Sequence, residues 1–277
     1  GSVVDKEAQE RGTSVYLVDR TVSMLPEKLC NKLCSLRPNE EKLTFSAVFE
    51  MTPLGRIVNQ RFGKTVIYSD FRFAYEEAQA VIESGQGRMA EEILELHKLA
   101  TILRKKRFAA GAIMFERPEM KVEVDSTGKP IRVYEKISKE ANWLIEEFML
   151  LANRSVAEFI GKGSRKSKAK TFVYRIHEKP SEEKAATFRA FSQTLGINAR
   201  FSIDDVKPYD YQKILKSAEN SPYYSVLNRV MLRSMQKARY SHENLGHFGL
   251  ASRYYCHFTS PIRRYPDLCI HRIIKDV

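Results

Sequence analysis

The segment from Lys139 to Ile160 constrains the fold more than any other part of the chain, because it is apolar around most of a helical circumference. A helix of this kind must be covered on most sides by other elements. The segment therefore predicts a domain whose core surrounds one long helix. The apolar side chains are Leu144, Ile145, Phe148, Met149, Leu151 and Ala152.

A polar stripe interrupts this apolar helix. Asn142, Glu146 and Asn153 follow one another at spacings of four and seven residues, which places them on one helix face. Buried polar side chains need hydrogen-bond partners, so this face should meet other side chains, the hydroxyls of a ligand or a metal-bound water. A purely structural network and a solvent-facing stripe are equally open alternatives.

Strands and helices alternate irregularly along the chain, which is typical of a mixed α/β domain. We expect the strands to form a core sheet packed against long helices. Apolar alternation, turn residues and capping residues define the individual segments. Strands are predicted at 43–49, 65–68, 120–124 and 131–134, and further helices at 91–107 and 221–239.

The charge balance points to an anionic partner. Lysine and arginine number 46 against 34 acidic residues, a net charge of +12. Nucleic acid is the first candidate for such a chain, and a solvated basic surface is the alternative. Apolar runs are too short to span a bilayer and no signal sequence opens the chain, so we expect a cytoplasmic protein without a membrane partner.

The cysteines are too few for a disulfide framework, which suits a reducing compartment. Their spacing lacks the paired halves of a zinc site, so we predict no bound metal within the chain and expect buried, inert thiols. The disfavoured zinc set would be Cys256, His257, Cys269 and His271.

The stretch 257–268, HFTSPIRRYPDL, concentrates the polar chemistry. Ser260 and Pro261 form an N-cap and N1 pair, so a helix or a helical turn should begin there with its amides facing an anion. Arg263 and Arg264 add two permanently charged guanidinium groups. The stretch predicts a phosphate-binding site, and a capped helix with surface arginines is the alternative.

Aromatic residues are interleaved with basic ones elsewhere. Tyr16, Tyr75 and Phe115 each lie within four residues of an arginine. Aromatic faces near cations suit the stacking of bases from a single strand. Packing in the core is the alternative for each of them.

Several sequence blocks, in the order in which they occur, resemble those of the RNase II/RNase R (RNB) family of exoribonucleases, and most of all those of its bacterial RNase R branch. The signature HFTSPIRRYPDL is a specific one, and the other blocks precede it in the family's order over the whole length. These blocks are GTSVY at 12–16, IEEFM at 145–149 and HFGL at 247–250.

The resemblance implies an enzyme that hydrolyses single-stranded RNA from its 3′ end to nucleoside 5′-monophosphates. The implied fold is the α/β RNB catalytic domain with a narrow channel, and residues 1–277 would form most of that domain. Two Mg²⁺ ions would activate water and stabilise the leaving oxygen. Single-stranded RNA is the implied partner, and no obligate protein partner is inferred.

Carried over position by position, the resemblance also implies roles for individual residues. Arg263 would neutralise the scissile phosphate, Tyr75 would stack near the cleavage point, and Glu146 would line the catalytic cavity. Tyr16 and Phe115 would clamp the terminal bases. The full RNA-binding set is Tyr16, Phe115, Arg264 and Asn153.

The chain departs from the family at the metal site. The family's four metal-binding aspartates lie upstream of the block that begins here at Asp5. The cluster of Asp204, Asp205 and Asp210 lies in another part of the chain, where we expect it to cap a helix.

The resemblance therefore implies a truncated domain. Its Mg²⁺ ligands, cold-shock domains and S1 domain would lie outside this chain, which by itself would hydrolyse RNA poorly or not at all. The alternative is a non-catalytic single-stranded RNA-binding protein of the same fold that has lost the aspartates.

Overall fold

The computed structural model describes residues 1–114, 119–162 and 171–276. Phe115 and most of the basic segment 161–170 lie outside the described residues. The chain forms two compact units. Unit 1 comprises Gly1–Ile102, Pro118–Val156 and His257–Val277, and unit 2 comprises Leu103–Arg117 and Ala157–Cys256.

Helices and short strands make up both units. The helices are α1 (Val3–Arg11), α2 (Tyr75–Ser84), α3 (Ala90–Ala109), α4 (Glu140–Gly161), α5 (Glu182–Thr194), α6 (Pro208–Ser217), α7 (Tyr224–Ser234) and α8 (Tyr265–Lys275). The strands are β1 (Val15–Tyr16), β2 (Thr21–Val22), β3 (Glu41–Met51), β4 (Ile57–Tyr68), β5 (Glu119–Val124), β6 (Pro130–Lys136), β7 (Tyr174–Ile176) and β8 (Arg239–Ser241). A π-helical turn spans Leu29–Leu33 and a 3₁₀ turn spans Phe248–Leu250.

The mixed α/β class predicted from the sequence is confirmed, with one refinement in how the strands pair. Over the described residues they form antiparallel two-stranded ribbons, β1–β2, β3–β4, β5–β6 and β7–β8, in place of one core sheet. Most of these ribbons join strands that are neighbours in the sequence. Such pairs close with a short loop and therefore a small loss of chain entropy.

The long helices and hairpins follow the sequence pattern closely. The helices predicted at 91–107 and 139–160 are confirmed as α3 and α4. The strands predicted at 120–124 and 131–134 pair as the hairpin β5–β6. These elements are set by periodicity over many residues, which local structure rarely overrides.

The helix predicted at 221–239 is shorter than expected. It begins at Tyr224 and ends at Ser234, because Met235 adopts an extended backbone with φ −77° and ψ 155°. The chain then enters β8, where Arg239 pairs with Ile176 of β7. A long-range strand pairing therefore replaces the last turn of the predicted helix.

The core of unit 2 is built by helices. Phe188 on α5, Tyr211 on α6, and Leu227 and Met231 on α7 are fully buried. The ring centroids of Phe188 and Tyr211 lie 4.7 Å apart. Asp210 accepts a hydrogen bond from Lys207 N–H at 2.8 Å and so caps α6, as the sequence predicted for this acidic cluster.

In unit 1 the β3–β4 ribbon supports α8. Phe45 on β3 lies 6.1 Å from the ring of Phe258 and 5.1 Å from His271 on α8, measured between ring centroids. Phe258 and His271 stack at 4.5 Å, and His271 Nε2 lies 2.8 Å from the carbonyl oxygen of Phe258. This cluster holds the chain on both sides of the arginine-containing stretch.

None of the described helices offers a run that is long and apolar enough to cross a membrane. The cysteines are free thiols. Cys256 is buried as expected, Cys30 and Cys269 are half-buried, and Cys34 is exposed. The expectation of buried thiols is therefore wrong for Cys34, which follows the short turn Leu29–Leu33 that contributes no buried residue.

Two histidines of unit 2 pack edge to face, with ring centroids 5.0 Å apart. His177 Nδ1 accepts a hydrogen bond from Gly249 N–H and His247 Nδ1 accepts one from Leu250 N–H. Both rings are therefore neutral, since a protonated Nδ1 cannot accept. Burial lowers the pKa of both imidazoles, and that of His247 to about 3.

This histidine pair predicts a loss of stability in acid. Below pH ~6.5 the unfolded chain binds protons that the native His247 does not, so stability present at neutral pH is lost as the pH falls toward the native pKa. We expect the free energy of unfolding in urea to be about 2 kcal/mol lower at about pH 5 than at about pH 8 because of His247. The substitution His247→Asn keeps an acceptor for Leu250 N–H and removes the titration. An equal pH dependence in that variant would contradict the assignment.

Candidate functional site

The arginine-containing stretch forms a tight turn followed by a helix. Arg263 N–H and Arg264 N–H donate to the carbonyl of Ser260 at 3.3 and 3.1 Å. The helical turn predicted at Ser260 is thus present, but the regular helix α8 begins only at Tyr265. The reason is an antiparallel bridge between Thr13 and Arg264, which holds Arg264 extended at φ −139° and ψ 120°.

Asp267, in the first turn of α8, holds this turn together. It is fully buried. One carboxylate oxygen accepts from Ser260 N–H at 2.7 Å, and the Arg264 guanidinium donates to both oxygens at 2.9 and 2.8 Å. Burial raises the pKa of the Asp267 carboxyl, and the bonds from Arg264 act in the opposite direction. Three donors around one carboxylate are the environment of an ionised group.

The two arginines therefore occupy different environments. The Arg264 side chain is only 19% exposed and is engaged by Asp267. The Arg263 side chain is exposed, at the tip of the same turn. A guanidinium that is displayed on an ordered turn suits recognition of a phosphate, because its planar fork loses little freedom on binding.

The backbone of Arg263 is tied to the segment that leads into β1. Its carbonyl accepts hydrogen bonds from Ser14 N–H at 3.0 Å and from Thr13 Oγ1 at 2.9 Å. Tyr16 follows on β1 and is 61% exposed. The residue expected to stack a base is thus on the same short segment that holds the turn of Arg263.

Asn153 anchors the other side of the turn. It lies on α4, is buried, and its Oδ1 accepts from Phe258 N–H at 2.8 Å and from Thr259 N–H at 3.3 Å. At Asn153 the polar stripe of α4 therefore takes part in a structural hydrogen-bond network, which is one of the alternatives that the sequence left open. Glu146 lies two helical turns earlier on the same face and is exposed, whereas its neighbour Glu147 is buried.

Tyr75 opens α2 and is 47% exposed. One turn later, the buried Gln79 donates from Nε2 to Glu140 at 2.8 Å and accepts from Ala141 N–H at 3.0 Å. The helix carrying Tyr75 is thus fastened to the first turn of α4. Along α4 this anchor and Asn153 are about 18 Å apart at 1.5 Å per residue.

Unit 1 contains all of the expected site residues that lie within the described ranges. The helix α4 links them, because it carries Glu146 and Asn153. Gln79 of α2 caps its first turn, and Asn153 supports the turn that carries Arg263. Their roles toward a substrate stay predictions. These residues are Tyr16, Tyr75, Glu146, Asn153, Arg263 and Arg264.

Magnesium does not fit the residues that the structure describes. Across 1–114, 119–162 and 171–276, no group of three or more histidine, cysteine or carboxylate side chains is placed to hold a metal ion. Asp205 pairs with Lys207 at 2.6 Å, and Asp204 accepts from Ser202. We therefore assign no chemical step to a metal bound by these residues.

Sequence reasoning missed Asp267 as the centre of the site. The available signal was the spacing of Arg264 and Asp267, three residues apart, which on a helix brings opposite charges together. Gln79 and Ser14 were also missed. Nothing local marks them, because their partners are distant in the sequence.

The buried hydroxyl of Thr259, next to the turn, offers a test of how an unpaired polar group affects stability. Its Oγ1 is buried and has no hydrogen-bond partner among the described residues. An unpaired buried hydroxyl is destabilising, so we expect Thr259→Val to raise the free energy of unfolding in urea by about 1 kcal/mol. The control Thr44→Val removes a hydroxyl that is paired with Thr65 at 2.6 Å and should lower it by about 1 kcal/mol. A loss of stability in Thr259→Val would contradict the prediction that its hydroxyl is unpaired.

Comparison with known proteins decides the family. The whole chain, residues 1–277, matches the protein-family model described as RNB domain. The chain belongs to the RNB family. This confirms the resemblance drawn from the sequence blocks.

The curated relatives of this RNB domain include several bacterial ribonucleases R. It is 40% identical over 285 residues to Ribonuclease R 1 of Lactococcus lactis subsp. lactis (strain IL1403), a match that covers 100% of this chain and 34% of the relative. The domain thus spans about a third of the length of that curated relative.

Solved structures give the same result. The Mycoplasma genitalium RNase R in complex with double-stranded RNA superposes with a TM-score of 0.92 at 30% identity, covering 99% of this domain and 49% of that chain. The same protein in complex with ribose methylated single-stranded RNA superposes with a TM-score of 0.90 at 30% identity, covering 99% and 43%.

Proposed function

We propose that this RNB domain is the RNA-binding part of an exoribonuclease that removes nucleoside 5′-monophosphates from the 3′ end of single-stranded RNA. One observation carries the proposal: Arg263 is exposed on a turn that Asp267 and Asn153 hold in place. The relatives named Ribonuclease R and the RNA complexes of the Mycoplasma genitalium protein support it.

Each site residue has a proposed role. Arg263 neutralises the scissile phosphate as charge develops, Tyr75 stacks near the cleavage point, and Glu146 lines the catalytic cavity. Tyr16 and Phe115 stack the terminal bases. Arg264 and Asn153 belong to the RNA-binding set, and the contacts described above make them supports of the Arg263 turn.

The proposal assigns the metal to another part of the enzyme. Mg²⁺ would supply the activated water in this family, and its ligands would be aspartates outside this chain, which forms part of the catalytic domain. The free thiols suit a reducing compartment, and we propose the cytoplasm.

The first test is binding without hydrolysis. The chain is incubated with Mg²⁺ and a short 5′-labelled single-stranded RNA, and complexes and products are resolved on native and denaturing gels. We expect a shifted complex and no ladder of shortened RNA. Absence of binding would refute the proposed RNA-binding role. Mg²⁺-dependent release of 5′-monophosphates would refute the proposal that the metal ligands lie outside this chain.

The second test separates an enzyme part from a non-catalytic binding protein. The chain replaces the matching segment of the Lactococcus lactis Ribonuclease R 1, and circular dichroism and RNA binding report folding of the chimera. Hydrolysis from the 3′ end is the expected outcome. A folded chimera that binds RNA but leaves it intact would favour the non-catalytic alternative.

A further inference from the structure

Cationic side chains line a cavity of unit 2. None of the site residues described for unit 1 belongs to this lining. The cavity has a volume of about 1110 Å³ and lies between β7, the start of α5, the end of α7 and the segment that enters β8. We call it the α7–β8 cavity. Its charged lining comprises Arg175, Lys184, Arg233, Lys237 and Arg239, with Glu178 as the carboxylate.

Most of this positive charge is not neutralised by the protein. Arg239 pairs with Glu178 at 3.3 Å. Lys184, Arg233 and Lys237 are exposed and form no ion pair with any residue that the structure describes. In the neighbouring cavity of unit 2, by contrast, Lys207 is paired with Asp205. Like charges that share a concave surface repel one another, and a bound polyanion relieves that repulsion.

An aromatic face accompanies the cations. The Arg175 guanidinium lies 4.7 Å from the ring centroid of Tyr240, its cross-strand partner on β7–β8. Tyr240 is 37% exposed. Tyr240 lies outside the cavity lining, and its cation–π contact orders the Arg175 guanidinium that faces the cavity. An ordered guanidinium is well suited to bind a phosphate.

We propose that the α7–β8 cavity binds backbone phosphates of the RNA strand. This inference rests on the proposed function and adds a second phosphate-binding site, in unit 2, to the Arg263 turn of unit 1. The cations without an ion pair come from α5, the end of α7 and the segment that enters β8. Positive charge spread over three elements favours a stretch of chain over a single nucleotide, which has the same phosphate chemistry.

The test compares two double variants that each remove two positive charges from exposed residues of unit 2. Arg233→Ala with Lys237→Ala alters the cavity, and Lys213→Ala with Arg229→Ala is the matched control outside its lining. Binding of labelled single-stranded RNA is followed by fluorescence anisotropy from about 50 to about 200 mM salt. Thermal melts by circular dichroism establish that both variants are folded.

We expect the cavity variant to bind RNA about tenfold more weakly at low salt and to reduce the salt slope by about 1.4, the value for two phosphate contacts on a single strand. The control should match the unaltered chain. Equal weakening in both variants would overturn the inference and leave the proposed function standing, whereas absence of RNA binding by the unaltered chain would overturn both.

Adenosine 5′-monophosphate and inorganic phosphate form a second arm of the experiment. Each is titrated into the unaltered chain and the cavity variant, with binding followed by calorimetry. A nucleotide bound tightly by the unaltered chain and lost in the cavity variant, with an unchanged RNA salt slope, would show a site for a free nucleotide and overturn the RNA assignment. Weak phosphate binding together with the changed RNA slope would support it.

Discussion

Replacing Asp267 with alanine is expected to lower the free energy of unfolding by about 3 kcal/mol, because it leaves the Arg264 guanidinium without its buried partner. The same change removes the acceptor for Ser260 N–H. The Arg264 side chain keeps 19% of its surface in solvent, so the loss belongs at the lower end of the range for broken buried pairs. Urea denaturation at neutral pH measures it.

A double-mutant cycle with Arg264→Ala isolates the pair itself. We expect the double variant to lose clearly less than the sum of the two single losses, with a coupling of about 1–3 kcal/mol. Asp70→Ala, an exposed carboxylate just after β4, should change stability by less than about 0.5 kcal/mol. An Asp267→Ala variant as stable as the unaltered chain would show that Asp267 does not hold the turn.

Replacing Arg263 with alanine is expected to reduce hydrolysis by the chimera by about 10³-fold and to leave stability unchanged. A loss in rate of about 10³-fold is typical when an enzyme loses a group that stabilises the charge developing in the transition state. Stability should hold because the turn uses the Arg263 carbonyl and amide, which alanine retains. Single-turnover cleavage of 5′-labelled RNA and urea denaturation measure the two effects.

Arg263→Lys is the matched control, because it keeps the charge and removes the planar fork. It should fall between the alanine variant and the unaltered chimera in cleavage rate. A cleavage rate unaffected by Arg263→Ala would remove Arg263 from the proposed mechanism, whatever the stability of the variant.

The site could be predicted from the sequence only in part. The stretch 257–268 stood out because capping residues and arginines are adjacent there, and the structure does form a turn at Ser260. The division of labour between Arg263 and Arg264 was not predictable. The family resemblance implies different roles for the two arginines, but residue types and spacing alone do not separate them. The physical cause is which guanidinium reaches the buried Asp267.

The sequence by itself determined α3, α4 and the hairpin β5–β6, since periodicity and turn residues act over neighbouring residues. The strand predicted at 65–68 is only the last part of β4, which begins at Ile57. Only the tertiary structure decided where α7 ends, which polar face of α4 is used and which arginine is displayed. Those outcomes depend on contacts between distant segments. Thr13 and Arg263, for example, are 250 residues apart in the chain, and no local propensity encodes the hydrogen bond between them.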